Sequence, residues 1–405
     1  IEHMMSNSKY YLLVFLFIIS ACTTDEEITD APKEQHKNEV LVDAEIVKKI
    51  SSSEIDLLFK NAMELAGISE ELVPPLQFKG ITVYKLTYKT SYPGMSEKII
   101  ASGALVIPDD SKNNSIISYQ HGTITDPKHA PSFSSETASN GFAALMASLG
   151  FYVSVPDYLG YGETANLHHP YEHGESLATA SYDMILASRK FIASNEYGVG
   201  DKLFLTGYSE GGYATMALHQ YIEEKGDLTV TASAPAAGAY NKSELASEII
   251  SKDEPLPFIR NYLWVLDTYN WVHKINKPWS YFINEPYASN IDPNNPLSVF
   301  DAELDSNPSK LFTESFRNEI SSEETSSFKM ALKENDRFDW KANAKVRLYY
   351  GTKDDFVYPL NSTSAHKAMK EKGSVVELFP FEGKNHFTAV NDYSIGVLIW
   401  FLSQK

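Results

Sequence analysis

From position 81 onward, short apolar runs alternate with longer stretches whose apolar residues recur at helical intervals. Ile81–Thr90 and Lys98–Ile107 read as two antiparallel strands joined through the turn residues Pro93-Gly94. Further strands are expected at Ile116–Tyr119, Phe151–Val155, Leu203–Thr206, Thr229–Ala234, Val346–Tyr350 and Val375–Phe379. Helices are expected between them at Ala138–Leu149, Glu175–Ser194, the stretch after Ser209, Ser362–Lys372 and Asp392–Ser403. Such alternation calls for an α/β architecture, a mostly parallel sheet covered by helices on both faces. Upstream, Asp43–Ala66 spaces Ile46, Val47, Ile50, Ile55, Leu58, Phe59 and Met63 as one amphipathic helix would.

The alternation breaks between about 240 and 341. Phe258, Tyr262, Trp264, Tyr269, Trp271, Trp279, Tyr281 and Phe282 crowd into this stretch. It reads as a helical cap inserted above the carboxyl ends of the strands, where sites in such sheets lie. Most of its aromatics are needed for the cap's own core, and a few are expected to face a cleft. Asp292-Pro293-Asn294-Asn295-Pro296 and Asn307-Pro308 read as turns, because their spacing does not fit a calcium loop.

Composition narrows the partners. A chain of 405 residues, 43% hydrophobic and 22% charged, can bury a large core, and its net charge of −18 disfavours nucleic acid and anionic lipid surfaces. Ile1–Met4 read as an expression remnant ahead of a start at Met5. Lys9 and the apolar run Tyr10–Ile19 read as a signal peptide ending in Ser20-Ala21-Cys22. That ending resembles the lipobox of bacterial lipoproteins, which implies a lipid on Cys22 and a place in the bacterial cell envelope, at the outer membrane or cell surface. Cys22 is the single cysteine, so no intrachain disulfide can form. The expected organisation is a leader at 1–21, a flexible acidic tether at 22–40, and one catalytic domain at 41–405 with its cap at about 240–341.

The chemistry concentrates at Lys202–Met216. A strand-like run enters Gly207-Tyr208-Ser209-Glu210-Gly211 and a helix-compatible segment leaves it. This G-x-S-x-G turn resembles the nucleophile elbow of α/β-hydrolases, where a serine sits on a strained turn and only glycine fits the close approach of strand and helix. Gly351-Thr352-Lys353-Asp354-Asp355-Phe356-Val357 follows a predicted strand and resembles the acid loop G-x-x-D-x-x-V of that superfamily. Spacing favours Asp354, with Asp355 the alternative. After the last predicted strand, Glu382-Gly383-Lys384-Asn385-His386-Phe387 presents a histidine where a general base belongs.

Tyr119-Gln120-His121-Gly122-Thr123, Pro156-Asp157-Tyr158-Leu159-Gly160-Tyr161-Gly162 and His169-Pro170-Tyr171 extend the likeness. With the elbow and the cap, they resemble the secretory-lipase (lipase A type) and bacterial carboxylesterase branch of the α/β-hydrolase superfamily, over about residues 80–404. The resemblance implies an eight-stranded type of sheet with an inserted helical cap. It implies a Ser209, Asp354, His386 triad with an acyl-enzyme intermediate, and an oxyanion hole from the main-chain N–H groups of Glu210 and Thr123. His121 and Asp157 take structural roles in their turns. Tyr208, Gly122, Trp264 and Trp271 are the candidate substrate contacts. No cofactor and no metal are implied. His169 and His173 stand four apart, but Pro170 and Gly174 interrupt a helix and nothing completes a metal-ligand set, so the pair is expected at the site entrance.

The function expected is cleavage of carboxylic esters, small or attached to a polymer, by an envelope enzyme of the esterase or lipase kind. Two other readings stay open: a serine peptidase of the prolyl-oligopeptidase kind, and a noncatalytic binding lipoprotein on the same fold. The stretch ahead of the first strand is too short for the propeller that such peptidases carry, and an intact triad speaks against the second.

Overall fold

A computed structural model describes residues 40–65, 76–133 and 138–405. Cys22, the leader and the tether lie outside the described residues. Among the described residues no helix is long and apolar enough to cross a membrane.

Among the described residues nine strands form one sheet: β1 (Leu41–Ile50), β2 (Ile81–Thr90), β3 (Ile99–Pro108), β4 (Asn114–Gln120), β5 (Tyr152–Pro156), β6 (Val199–Tyr208), β7 (Ala232–Ala236), β8 (Lys345–Gly351) and β9 (Val376–Phe381). Their order is β1-β2-β3-β5-β4-β6-β7-β8-β9. The first three strands pair antiparallel, β3 meets β5 antiparallel, and from β5 to β9 every neighbour is parallel. The expected α/β sheet is therefore present, with one strand more than the eight-stranded type.

The extra strand corrects the reading of Asp43–Ala66 as a single helix. Leu41–Ile50 instead lies antiparallel along β2, with register shifts between Leu41 and Asp43 and between Ile46 and Lys48. The helix α1 (Ser52–Leu65) begins only after it. Ile46 and Val47 are exposed rather than buried on a common helical face. The open edge of β2 supplies backbone partners that periodicity cannot register. A local signal does mark the boundary. The Ser51 N–H donates to the Glu54 carboxylate at 2.7 Å and the Glu54 N–H donates to Ser51 Oγ at 3.3 Å, a capping box.

Helices α2 (Ala138–Ser148), α3 (Gly174–Ser194), α4 (Glu210–Lys225), α9 (Leu360–Glu371) and α10 (Val390–Gln404) cover the sheet. Alternate strand residues serve the two faces. Ile117, Val153 and Phe204 pack with α2 and α10, while Ile116, Tyr152 and Leu203 pack under α3. β7 begins later than the predicted Thr229 and runs through Pro235, whose neighbour across the sheet is Gly207.

Between β7 and β8 lies the cap, built on α5 (Lys242–Ser251), α6 (Ile259–Val272), α7 (Glu314–Ser321) and α8 (Ser327–Glu334), with short helical turns between α6 and α7. Its core gathers Leu263, Trp264, Phe282, Phe316 and Phe328, and it rests on Tyr171, Ala239, Phe356 and Val357 of the sheet domain. That seats the cap over the carboxyl ends of the parallel strands.

Candidate active site

Four strand ends supply the site: β4 into His121–Thr123, β6 into Ser209, β8 into Asp354, and β9 into His386. Ser209 sits at φ 61° and ψ −123°, a conformation rarely held by a residue with a side chain. Its N–H donates to Ala236 O at 3.0 Å, and α4 starts at the next residue. The flanking glycines are required by proximity. A Cβ on Gly207 would lie 2.5 Å from Gln120 O, and one on Gly211 would lie 2.7 Å from His121 O and closer still to Gln120 O.

His386 Nε2 is 2.9 Å from Ser209 Oγ, and His386 Nδ1 is 2.7 Å from Asp354 Oδ2. Both His386 and Asp354 are buried, whereas Asp355 is exposed. Gly122 abuts the elbow, since a Cβ placed on it would lie 4.0 Å from that of Ser209. The Thr123 hydroxyl is 2.9 Å from that of Tyr171. Buried His121 has its ring nitrogens 2.8 Å from Gly122 O and 3.2 Å from Asp157 O, and burial pushes its pKa down. Asp157 reaches further than its own loop. It accepts from Ser102 Oγ at 2.6 Å and from the Ser132 N–H at 2.8 Å, and burial pushes its carboxyl up.

An apolar cavity of about 80 Å³ opens on Ser209 and runs into the cap between α5, α6, α7 and α8. Leu245, Ile249, Val265, Phe312, Phe316 and Phe328 are among its walls. Two charged side chains join them, Glu172 and Lys242, which form a buried ion pair. Burial pushes the Glu172 carboxyl up and the Lys242 ammonium down, each against the pull of its partner. Among the described residues no cluster of three or more His, Cys, Asp or Glu side chains is arranged to hold a metal ion.

No family model matches the sequence, and no curated protein matches it. Solved structures do. A candidate hydrolase from Legionella pneumophila superposes with a TM-score of 0.78 at 25% identity, covering 90% of this chain and 98% of that one. The rice cell wall degrading esterase LipA from Xanthomonas oryzae gives 0.76 at 22% identity, over 90% of this chain and 97% of that one. Candida antarctica lipase A in its closed state gives 0.61 at 16% identity, over 90% and 81%. The chain has an α/β-hydrolase fold.

Within this α/β-hydrolase fold the structure brings Ser209, His386 and Asp354 into one hydrogen-bonded line, with Glu210, Gly122 and Thr123 beside it. It does not bring the other candidate substrate contacts to the cavity. Trp264 is fully buried and stacked on Tyr171 at 4.2 Å, so it belongs to the cap core. Trp271 stacks on Tyr92 at 6.1 Å, on the flank under α3. Tyr208 is buried and its hydroxyl donates to His386 O at 2.6 Å, a brace for the histidine loop. His169 and His173 are buried in the interior and do not line an entrance. His169 meets Glu210, and His173 Nδ1 lies 2.7 Å from Ser176 Oγ. Sequence reasoning missed Glu172 and Lys242. They are far apart in the chain and no local motif joins them.

Proposed function

We propose that this chain is a carboxylic ester hydrolase working through an acyl-enzyme. Ser209 is the nucleophile, His386 the proton carrier and Asp354 the group that orients the imidazole. The observation that carries the reading is the line Asp354–His386–Ser209, with hydrogen bonds of 2.7 and 2.9 Å, at the mouth of an apolar cavity. His386 Nε2 takes the hydroxyl proton as Ser209 Oγ bonds to the ester carbonyl carbon. The tetrahedral oxyanion accepts from the N–H groups of Glu210 and Thr123. Collapse breaks the bond to the alcohol oxygen, which leaves with the proton from Nε2. Water then repeats the sequence on the acyl-enzyme, giving the acid and free Ser209. Similarity in fold to an esterase and a lipase favours esters as substrates.

The cavity sets the expected acyl group. At about 80 Å³ it is smaller than the ~150 Å³ that accommodates a benzene ring, so an acetyl to butyryl group fits without movement of the walls. Turnover of p-nitrophenyl esters from acetate to palmitate, beside Ser209→Ala, tests this. Maximal turnover at butyrate or shorter, falling by at least about 10³-fold in the variant, is expected. No turnover at any length would overturn the reading.

The same proposal places the enzyme in the bacterial envelope, lipid-anchored through Cys22 and acting on small or polymer-attached esters. The signal-like run Tyr10–Ile19 and the Ser20-Ala21-Cys22 ending support it. Metabolic labelling with an alkynyl fatty acid should mark the wild type and spare Cys22→Ser. Equal labelling of both would remove the anchor.

A further inference from the structure

One buried pair beside the nucleophile is not used by the reaction above. The side chain of Glu210 is fully buried. Its Oε1 lies 2.7 Å from His169 Nε2, while its Oε2 has no hydrogen-bond partner among the described residues. On the other side of the ring, His169 Nδ1 is 2.6 Å from Leu159 O. A carbonyl oxygen only accepts, so Nδ1 carries a hydrogen. A second hydrogen must lie between Nε2 and the carboxyl, because two bare lone pairs would repel at that distance. The pair therefore holds one shared proton and no net charge, whichever atom bears it.

His169 is also the centre of an aromatic cage. The rings of Tyr158, Tyr161 and Tyr171 lie 6.1, 4.7 and 6.0 Å from it. Their hydroxyls reach the turn after β4. Tyr158 donates to His121 O at 3.0 Å, Tyr161 donates to Ile124 O, and Tyr171 meets Thr123 Oγ1 at 2.9 Å. His169 thus meets Glu210 directly and, through three tyrosines, the turn at residues 121–124, with Tyr171 the one that reaches Thr123. Glu210 and Thr123 are the residues whose N–H groups the proposed reaction assigns to the oxyanion. The other ionisable groups facing Glu210 are His121 and the Glu172–Lys242 pair.

We propose that His169 and Glu210 are positioning residues for the oxyanion hole, setting the spacing of its two donors and keeping the buried pair beside them free of net charge. The inference rests on the reading of Ser209 as an acyl-transfer nucleophile. The fold alone does not require such a unit, since neutral side chains at both positions would fill the same space without a buried carboxyl.

The test compares Glu210→Ala, His169→Phe and Glu210→Gln with the wild type. The readouts are kcat, KM and the affinity of a trifluoromethyl ketone, which forms a tetrahedral oxyanion on the serine. For Glu210→Ala and His169→Phe, kcat should fall about 10- to 100-fold with KM within about threefold, and ketone affinity should fall in parallel, a share of what deleting an oxyanion donor costs. Glu210→Gln, whose amide can donate to His169 Nε2, should recover most of that loss. Should His169→Phe fail to fold, the two Glu210 variants decide. Folded Glu210→Ala or His169→Phe protein with kcat and ketone affinity within about threefold of wild type would overturn the inference. So would a loss in Glu210→Gln as deep as in Glu210→Ala. Wild-type protein that turns over no ester sinks the hydrolase reading and this one with it, a result distinct from unchanged variants of an active enzyme.

Discussion

Asp354 divides its carboxylate between His386 and the main chain. Oδ2 lies 2.7 Å from His386 Nδ1, while Oδ1 accepts the N–H of Phe356 at 3.0 Å and of Val357 at 2.8 Å. Two main-chain donors hold the carboxylate in one orientation, so the imidazole is presented to Ser209 with Nε2 free to take a proton. Asp354→Asn should lower kcat by about 10³- to 10⁴-fold with little change in stability. Asp355→Asn, at an exposed side chain, should stay within about twofold. Parallel kinetics on the two variants checks this, and equal losses would show that the acid is misassigned.

The walls of the cavity should set acyl-chain preference. Leu245→Trp adds bulk to an 80 Å³ space and should shift the best p-nitrophenyl ester toward acetate, with kcat/KM for butyrate down about tenfold or more. Trp271→Ala, away from the cavity, should leave the profile unchanged. A chain-length profile that follows Trp271 rather than Leu245 would relocate the acyl site.

Close packing at the elbow makes a stability prediction. Gly211→Ala would push a Cβ into main-chain oxygens of Gln120 and His121, which cannot swing away as a side chain can. A loss of about 3 kcal/mol or more is expected. Gly226 has nothing within 4 Å and φ +70°, so Gly226→Ala should cost only about 1 kcal/mol. Urea unfolding of both variants tests the contrast.

Asp267, on cap helix α6, is pushed from 3.8 up to about 6 by burial alone. A carboxyl whose pKa is raised on folding destabilises the native state increasingly as pH rises from 3.8 to 6, and fully above. Asp267→Asn should therefore leave stability nearly unchanged at pH 3.5 and raise it at pH 8. The gain should be about 1 kcal/mol, less than the full shift implies because the side chain is partly exposed. Melting curves at the two pH values check the sign.

The sequence carried the parallel sheet, the cap and the three residues of the hydrogen-bonded line because each is encoded locally. Alternating apolar runs mark strands buried on both faces. Gly207 and Gly211 mark a turn where strand and helix nearly touch, and Asp354 and His386 each sit just beyond a strand end. What escaped it depends on distant partners. Leu41–Ile50 reads as helix until the edge of β2 is there to pair with it, although Ser51 and Glu54 already spell the cap of the helix that follows. Which way Trp264 and Trp271 would face could not be read, because a helix rich in aromatics on several sides does not reveal which side meets a cavity. His169 took on meaning only beside Glu210, 41 positions later.

The most direct test of the central claim is titration of the protein with diethyl p-nitrophenyl phosphate, followed by peptide mass mapping. Ser209 Oγ bonds to phosphorus, p-nitrophenolate leaves, and His386 takes the hydroxyl proton. The expected result is one equivalent of p-nitrophenolate per chain, a diethylphosphoryl group on Ser209, no release from Ser209→Ala, and release slowed by at least about 10³-fold in His386→Ala. Release that persists in Ser209→Ala, or a phosphoryl group found on another residue, would contradict it.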